Sequence, residues 1–513
     1  MFRARLDFHD IASPIGLADG GLFLGRSSVF PVQHRMLRTE VLESEDRVVL
    51  ISYERFTDDP EGVVLVTGLS DSAIQGRLDA LDAYLLDFAV LEIDRRKRTI
   101  SYRASPVVSI PAYLIADQDG VAIDWDYSRL LVDREVEIVW DVALAQIAGR
   151  STYAPTTIVA GVYRATAGAV LRASANGVAV ELPESIEHDG PHDVWPDAHV
   201  EAQLFEAIKA ILDSRPLDPS RLAVELSGGM DSALTSIAAA AVAGPGVMSV
   251  GAQFNGPMGA AQRERRSMLR DHGGFDDLSV PAERFAPFGP TSLRRIRYGV
   301  WPEDENYPEL FEAMFGMLQA AGIDTLVSGL GGDELYTAYE GEEGAPAGKG
   351  ESACAFLTAE GLAIAHRARS PYPAGWLQET CWSGAASESQ RVLRYGLWPV
   401  HPYHTLALAR FVSRLPRRYR RDRRLLRDTL CELLGNQVFA TDYVKETFKL
   451  VAHRGIAENR AYLIDLVQRS NLSRHPGIAD QAILAALAGD IEALDHHTYN
   501  ALFRVLKVFC FFQ

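Results

Sequence analysis

Short apolar runs separated by turn residues fill the first 180 positions of the chain. Runs at 47–53, 63–67, 89–94 and 99–103 predict β-strands. The basic tetrapeptide RRKR at 95–98 joins the last two runs, which indicates an exposed hairpin turn. We interpret its charges as solvated turn residues.

Beyond residue 199 the apolar pattern changes to strands that alternate with longer helices. It predicts strands at 222–226, 247–254 and 325–328 and a helix at 232–243. A strand, a crossover helix and a second strand at this spacing indicate a parallel sheet with helices on both faces. Ligands of such sheets bind beyond the carboxyl ends of the strands. The predicted fold class is therefore α/β.

A segment without apolar periodicity separates these two patterns. Residues 181–199 include three prolines and several acidic side chains. We therefore predict a domain boundary there, with one domain at 1–185 and the other at 199–513. The Gly-, Ala- and Glu-rich stretch 340–352 predicts a loop, and the chain after residue 355 is mostly helical in pattern.

Composition and charge exclude several classes of protein. The 513 residues carry 51 lysines and arginines against 68 acidic residues, a formal net charge of −17. That charge repels a phosphate backbone and disfavours broad nucleic-acid binding. No apolar run approaches the roughly 20 residues that cross a bilayer, so no membrane segment is expected. Four cysteines without a CxxC pair disfavour a zinc or disulfide framework and favour the reducing cytoplasm.

A glycine-containing turn follows the predicted strand at 222–226 and begins a helix. It consists of Ser227, Gly228, Gly229, Met230, Asp231 and Ser232. Backbone N–H groups at a helix N-terminus bind anions, and glycines let the backbone approach phosphate oxygens. The turn lacks the GK[ST] ending of a Walker loop, so it does not predict an ordinary kinase or GTPase. A simple strand-to-helix turn remains the alternative.

Asp231 indicates a metal ion beside this turn. A carboxylate near phosphate is repulsive unless a cation lies between them, and Mg²⁺ prefers carboxylate, phosphate and water oxygens. The sequence SGLGGDE at 328–334 is a second glycine-rich turn after an apolar strand, and it provides Asp333. We therefore predict Mg²⁺ between Asp231 and Asp333, with the two turns facing each other across a nucleotide.

SGGMDS, the strand VMSVG at 247–251 and SGLGGDEL at 328–335 together resemble the synthetase domain of the asparagine-synthetase superfamily. The resemblance covers most of residues 200–455 and more weakly the first half. It implies a C-terminal PP-loop ATP pyrophosphatase domain and an N-terminal degenerate Ntn-type, glutaminase-like αββα domain. It also implies ATP-binding residues, with adenine against the end of the strand at 250–251. These are Leu226, Ser227, Gly228, Gly229, Asp231, Ser232, Val250, Gly251, Gly329 and Arg423.

Glutamine-dependent members of this superfamily carry a cysteine after the initiator methionine, where this chain has Phe2. Phenylalanine cannot act as a nucleophile. The resemblance therefore implies a non-catalytic N-terminal half. Its stretches 87–94 and 161–164 are similar to the degenerate versions in β-lactam synthetases and lasso peptide cyclases, which use an amine on their own substrate to close a ring.

The same resemblance implies catalytic residues in the C-terminal helices. Lys449, in KLVAHRG, occupies the place of the lysine that stabilises the tetrahedral oxyanion, and Lys445 is an alternative register. Glu388 is a candidate base for the amine, although Leu330 replaces the tyrosine partner of that glutamate. Arg423 is a candidate pyrophosphate contact among eight arginines at 414–427, and the others are interpreted as a solvated face.

The function expected from the resemblance is an ATP- and Mg²⁺-dependent amide ligase that releases AMP and pyrophosphate. A lasso peptide cyclase acting on a precursor peptide is the first choice, with a leader-peptide-binding protein and a leader peptidase as partners. A predicted RG turn at 454–455 followed by helices at 456–469 and 480–488 favours it. The alternatives are a β-lactam or carbapenam synthetase with a small amino-acid-derived substrate, and an ammonia-dependent amidating enzyme.

Three further classes compete with a ligase. GGDEL at 331–335 also resembles the signature of diguanylate cyclases, but that pentapeptide belongs on a hairpin, whereas we expect a buried parallel strand before it. A PP-loop enzyme that modifies tRNA would use the arginines at 414–427 as its phosphate grip. A catalytically dead scaffold would keep the fold without turnover.

Overall fold

The N-terminal part of the chain is built from short strands. The computed structural model describes residues 1–150, 153–186, 190–195, 197–336, 354–368, 372–373, 376–435, 438–439 and 447–513, so the predicted loop at 340–352 lies outside it. Its strands up to residue 181 are β1 (Phe2–Asp7), β2 (Ile15–Ala18), β3 (Gly21–Leu24), β4 (Ser27–Pro31), β5 (Leu37–Glu43), β6 (Arg47–Glu54), β7 (Gly62–Val66), β8 (Phe88–Asp94), β9 (Thr99–Ala104), β10 (Tyr113–Ala116), β11 (Gly120–Asp124), β12 (Val162–Arg164), β13 (Val170–Ser174) and β14 (Gly177–Glu181).

Helices dominate the described residues after 199. The helices of the described chain are α1 (Asp71–Asp79), α2 (Tyr127–Leu131), α3 (Trp140–Ile147), α4 (Val200–Asp213), α5 (Met230–Ala243), α6 (Gly256–Gly273), α7 (Pro308–Ala320), α8 (Gly332–Leu335), α9 (Ala359–Ala365), α10 (Glu379–Arg394), α11 (Leu406–Ser413), α12 (Arg417–Arg420), α13 (Arg424–Leu434), α14 (Lys449–Glu458), α15 (Arg460–Arg469), α16 (Asp480–Ala488) and α17 (His496–Phe511). The helix predicted at 480–488 is confirmed.

The N-terminal strands form two sheets. The first has the order β12-β10-β11-β1-β4-β3-β2 and is antiparallel. The second has the order β14-β13-β9-β8-β6-β5-β7 and is antiparallel except for the β5–β7 pair. The predicted hairpin is confirmed, because β8 pairs antiparallel with β9 across the turn at 95–98. Three of the four basic residues of that turn are exposed.

Alternating apolar residues pack the two sheets face to face. Leu91 of β8 and Ile123 of β11 belong to one buried core between them. Val90 faces the other way and packs with Ile74 of α1. Tyr113 of β10 packs in a further cluster with helix α3. The layer order is therefore helix, sheet, sheet, helix.

The third described sheet is parallel, as predicted. Its strands are β15 (Leu222–Glu225), β16 (Met248–Gln253), β17 (Asp276–Pro281), β18 (Thr325–Val327) and β19 (Trp398–Val400), in the order β17-β16-β15-β18-β19. Helices cover both faces, because Val224 packs with Ala233 of α5 and Ala223 packs with Leu310 of α7. GGDEL follows β18, which is buried and parallel to both neighbours, so this pentapeptide does not lie on a hairpin.

The predicted turn at Arg454–Gly455 is wrong. Helix α14 runs through both residues, and the chain leaves the helical path at Asn459 instead, so the helix predicted at 456–469 is divided in two. The glycine serves packing rather than a turn. A Cβ on Gly455 would lie 2.6 Å from Cδ of Pro287, so only a residue without a side chain lets α14 approach so closely.

Buried ion pairs join the N-terminal strands to the parallel sheet. Glu54 of β6 accepts hydrogen bonds from Arg215 Nη2 at 2.9 Å and from Trp398 Nε1 of β19 at 2.7 Å. Arg394 of α10 pairs with Asp126 at 2.7 Å. The described residues between β14 and α4 include no helix or strand, and the domain boundary there remains a prediction.

The described helices include none that is long and apolar enough to span a bilayer.

Replacing Glu54 with alanine should destabilise the whole chain. The side chains of Arg215 and Glu54 are only 5% and 4% exposed, so the variant leaves a guanidinium buried without its carboxylate. Breaking such a pair costs about 3–5 kcal/mol. The midpoint of urea unfolding should fall markedly. Glu206→Ala, which removes a largely exposed partner of Lys209, should leave it nearly unchanged; equal midpoints for both variants would contradict this account.

Candidate functional site

The turn between β15 and α5 requires glycine and is fastened by serine hydroxyls. Gly228 has a φ of +91°, a left-handed conformation that side chains disfavour. Ser227 Oγ accepts a hydrogen bond from Gly229 N at 3.2 Å and lies 2.9 Å from Ser232 Oγ. Gly229 is the N-cap residue of α5. The predicted anion-binding turn therefore begins the helix as expected.

Helix α6 supports this turn from behind. Gln262 Nε2 donates to the carbonyl oxygens of Ser227 and Ala252, at 2.9 Å in each case, and Arg265 Nε donates to the Gly228 oxygen at 3.0 Å. The carbonyl groups of the turn are therefore satisfied within the protein. The sequence analysis missed both side chains, because they lie about 35 residues from the turn.

The second glycine turn packs directly on the first. Strand β18 neighbours β15, so both turns lie at the carboxyl edge of one sheet. A Cβ on Gly329 would lie 2.6 Å from Ser232 N, and one on Gly332 would lie 2.6 Å from Asp231 Cγ. Cβ atoms essentially never come within 3.0 Å of a nonbonded heavy atom, so neither position has room for a side chain as the neighbouring atoms now lie. Both glycines are therefore needed for the contact between the turns.

The predicted carboxylate pair meets around an arginine. Nη1 of Arg423 lies 2.7 Å from Oδ2 of Asp231 and 2.5 Å from Oδ1 of Asp333. Arg423 and the preceding Asp422 both have positive φ, +54° and +52°, which is costly for residues with side chains. The guanidinium is thus held in place between the two acids, where a positive charge is favourable.

The described residues contain no cluster of three or more His, Cys, Asp or Glu side chains that could hold a metal ion. Two carboxylates alone are the usual protein contribution to a Mg²⁺ site, since phosphates and water supply its other ligands. Asp231 and Asp333 are therefore a suitable pair for an ion that arrives with a nucleotide.

Polar residues stand in a row next to the turns, at the carboxyl ends of β15, β18 and β19. Val224, Val327 and Val400 pair in register on the three neighbouring strands. The residues that come next, Glu225, Ser328 and His401, therefore stand side by side.

Ser328 and a residue of α10 contact the imidazole at the end of this row. Ser328 Oγ lies 2.8 Å from His401 Nδ1, and Ser389 Oγ lies 3.1 Å from its Nε2. Glu388 reaches over from α10, with Oε1 3.8 Å from His401 Nδ1. The base candidate Glu388 therefore lies at this sheet edge, with serine and histidine as neighbours rather than a tyrosine.

Burial shifts the pKa values of the ionisable groups in and beside this row. Desolvation, followed by the charge of Glu225, raises the pKa of Glu388 well above its usual range. Desolvation also raises the pKa of Glu225 to about 7 and lowers the pKa of His401 to about 3. A buried carboxyl group near neutrality is poised to exchange a proton with a bound substrate.

The two lysine candidates differ in what the structure says of them. Lys449 is the first residue of α14, while Lys445 lies outside the described residues. The ring of Phe448 stacks on Tyr307 at 4.4 Å and meets the edge of Phe254 at 4.9 Å. Because Phe254 follows β16, the start of α14 lies at the carboxyl edge of the sheet.

The strand residues assigned to adenine lie inside β16 rather than at its last residue, and their contact with adenine stays a prediction. Val250 is fully buried, and Val250 and Gly251 lie within β16, which continues to Gln253. Leu226 N donates to the Val250 oxygen at 2.8 Å, and a Cβ on Gly251 would collide with the Leu226 oxygen. These residues thus hold β15 and β16 together.

The interpretation of the remaining arginines as a solvated face is wrong for Arg420. Its side chain is fully buried, and its Nε donates to the Leu415 oxygen at 3.1 Å. Arg424 fits the interpretation, because its exposed side chain pairs with Asp428 at 3.1 Å. Phe2 is also fully buried, with its ring against Tyr102.

Tyr403 is a further site residue that the sequence analysis did not assign. Its hydroxyl donates to the main-chain carbonyl oxygen of Asp231 at 3.3 Å, and its side chain is completely buried. It follows His401 by two residues, so the chain after β19 contacts both the turn at 227–232 and the row of polar residues. No local signal in the sequence reveals this contact.

Comparison with known proteins adds no identity to this site. No family model matches the chain, and a search of the curated proteins finds none that matches it. The fold and site define an α/β protein with two glycine turns in contact, a carboxylate pair around an arginine and a buried row of polar residues at the same sheet edge.

Gly329→Ala should separate the two turns. The added Cβ would meet backbone atoms of Ser232, which cannot rotate away, so overpacking should cost about 1–3 kcal/mol. The midpoint of urea unfolding measures this cost. In the matched control, Gly316→Ala within α7, the Cβ would lie 3.5 Å from Tyr395 and should leave stability unchanged or higher. A wild-type unfolding midpoint in Gly329→Ala would contradict the packing argument.

Glu225 should make stability depend on pH. Its pKa rises from 4.5 to about 7 on folding, so the folded chain holds the proton more tightly. Its contribution is therefore complete below pH 4.5 and is lost as the pH rises through 7. His401 acts oppositely at lower pH, so the comparison is with Glu225→Gln. The urea midpoint of wild type relative to that variant should fall from pH 4.5 to 7; a constant difference would refute it.

Proposed function

We propose that this protein is an ATP-dependent, AMP-forming amide ligase of the asparagine-synthetase type. In this proposal the parallel sheet is a PP-loop ATP pyrophosphatase domain, and the paired N-terminal sheets are a degenerate Ntn-type domain. One observation supports it above all: the two glycine turns touch, so that Asp231 and Asp333 meet at one cationic nitrogen.

The residues at the turns fit a nucleotide with magnesium. Asp231 and Asp333 offer the oxygen ligands that Mg²⁺ prefers, at a position that already accepts the charge of Arg423. When bound, the ion would neutralise phosphate charge as pyrophosphate departs. Ser227 and Ser232, together with the N–H groups at the start of α5, would hold the phosphates, and Arg423 would contact the pyrophosphate.

The first step would activate a carboxylate. A carboxylate oxygen of the substrate attacks the α-phosphorus of ATP, the bond from that phosphorus to the bridging oxygen of pyrophosphate breaks, and an acyl-adenylate forms. Arg423 and the N–H groups at the start of α5 would favour this step, because they stabilise the departing pyrophosphate. The position of the turns at the carboxyl ends of β15 and β18 suits a ligand at the sheet edge.

The second step would form the amide. An amine nitrogen attacks the acyl carbon, the bond from that carbon to the AMP oxygen breaks, and the amine proton passes to a base. Glu388 is the proposed base, since a carboxylate whose pKa is raised by burial binds a proton strongly once ionised. The ammonium group of Lys449 would stabilise the oxyanion that precedes AMP release.

The proposed substrate is a peptide that closes on itself. A lasso-type macrolactam, formed between a side-chain carboxylate and an N-terminal amine of a precursor peptide, is the first choice. A carboxyethyl-amino acid would indicate a β-lactam-type synthetase, and aspartate with ammonia would indicate a simple amidating enzyme. Release of AMP from ATP in the presence of each compound separates these classes.

Asp231→Asn and Lys449→Ala should fail at different steps. Removing a carboxylate from the proposed metal pair should reduce exchange of labelled pyrophosphate into ATP by at least about 100-fold, which corresponds to roughly 2.7 kcal/mol. Lys449→Ala should retain this exchange and lose amide formation to a similar extent, because its role comes after adenylation. Both reactions are measured with the substrate class that stimulates AMP release.

Lys209→Ala is the matched control, because Lys209 lies on α4, away from the sheet edge, and pairs with Glu206. It should keep both reactions. Unchanged exchange in Asp231→Asn, or no AMP release with any of the three substrate classes, would reject the ligase proposal.

A further inference from the structure

A large acidic cavity lies beyond the ends of β16 and β17, beside the site described above. It encloses about 910 Å³, within the range of about 300–1,000 Å³ that small-ligand pockets occupy. Its walls come from the loop after β17, from α7 and from α14. Carboxylates dominate the charged side chains that face it, and these are Glu283, Glu309, Glu312 and Glu458, against Arg284 and Arg454.

The two arginines do not neutralise this cavity. Arg454 is already paired with Glu458 at 2.6 Å along α14, and Arg284 is exposed to solvent. Glu283, Glu309 and Glu312 form the acidic inner wall, and Oε1 of Glu309 also lies 3.3 Å from Nε of the buried Arg294 behind it.

Each of these three glutamates has a buried oxygen without a hydrogen-bond partner. The side chain of Glu309 is only 9% exposed, and its Oε1 accepts hydrogen bonds from Phe288 N at 3.1 Å and Ser292 Oγ at 2.5 Å. Its Oε2 has no such donor. Buried carboxylate oxygens without donors are costly, so three in one wall indicate that a ligand supplies the donors.

A metal ion is a poor match for this wall. The described residues hold no group of three or more acidic, His or Cys side chains close enough to coordinate one ion, and the space exceeds that of an ion. A planar or extended group with several N–H donors suits oxygens that are spread over a cavity. Burial raises the pKa of Glu312 to about 7; the charge of Arg394 opposes this rise and the charge of Glu309 adds to it, and a bound cation would lower the pKa.

We infer that this cavity binds an organic cation, a guanidinium or alkylammonium group with several N–H donors. The inference concerns binding alone and stands whether or not the chain is a ligase. The group could belong to a small free molecule or to a basic side chain of a peptide, and the two sources are distinguished by experiment.

Isothermal titration calorimetry without ATP tests this inference. The probes are agmatine, the peptide acetyl-Gly-Arg-Gly-amide and its citrulline counterpart, which has the same shape without the charge. At least one cationic probe should bind, at least tenfold more tightly than the citrulline peptide. Tighter binding of agmatine indicates a free molecule, and tighter binding of the arginine peptide indicates a peptide.

Glu312→Gln should weaken binding of the preferred cation about tenfold, because it removes one charge while keeping the shape. Glu283→Gln should also weaken binding, and it tests the inference independently if Glu312→Gln does not fold. Glu264→Gln, an exposed position on α6, is the matched control and should bind like wild type. Equal affinity for the arginine and citrulline peptides without agmatine binding, or wild-type affinity in both Glu312→Gln and Glu283→Gln, would overturn the inference. These binding measurements do not depend on AMP release, so failure of this inference and failure of the proposed function can be told apart.

Discussion

The contact between two glycine turns is the constraint on which the candidate site depends. Parallel pairing puts the ends of β15 and β18 side by side, and the lack of a Cβ on Gly329 and Gly332 lets the turns touch. Without that approach Asp231 and Asp333, about a hundred residues apart in the chain, could not share one nitrogen of Arg423. The charge of the site therefore follows from backbone packing.

The same sheet edge holds two electrostatic environments. At the turns, Asp231 and Asp333 share a guanidinium at hydrogen-bonding distance. Glu225, just before the first turn, and Ser328, the first residue of the second, face the side that α10 covers, where burial raises the pKa of the carboxyl groups. Carboxylates paired with a guanidinium and carboxyl groups with raised pKa values thus lie at the same sheet edge. In the proposed reaction, the first environment would hold the phosphates and the second would exchange a proton with the amine.

Local sequence patterns predicted the parts of the fold that local physics decides. Apolar periodicity located β6, β8, β9 and the helix at 480–488, and the paired glycine turns located the sheet edge. Contacts between residues far apart in the chain were not predicted, because the sequence around Gln262, Tyr403 and the backbone of Arg423 shows no pattern that indicates them. The prediction of a turn at Arg454–Gly455 failed for a related reason. Glycine commonly ends a helix, but Gly455 lies within one and allows it to pack closely on Pro287.

Helix α14 connects the proposed chemistry with the acidic cavity. Its first residue is Lys449, its middle packs on the loop after β17 through Gly455, and Arg454 and Glu458 line the cavity. The position of Lys449 is therefore coupled to the loop that also carries Glu283. Because Phe448 is wedged between Tyr307 and Phe254, the start of the helix can shift only if that aromatic packing changes. A cation bound in the cavity would therefore contact the helix whose first residue is Lys449.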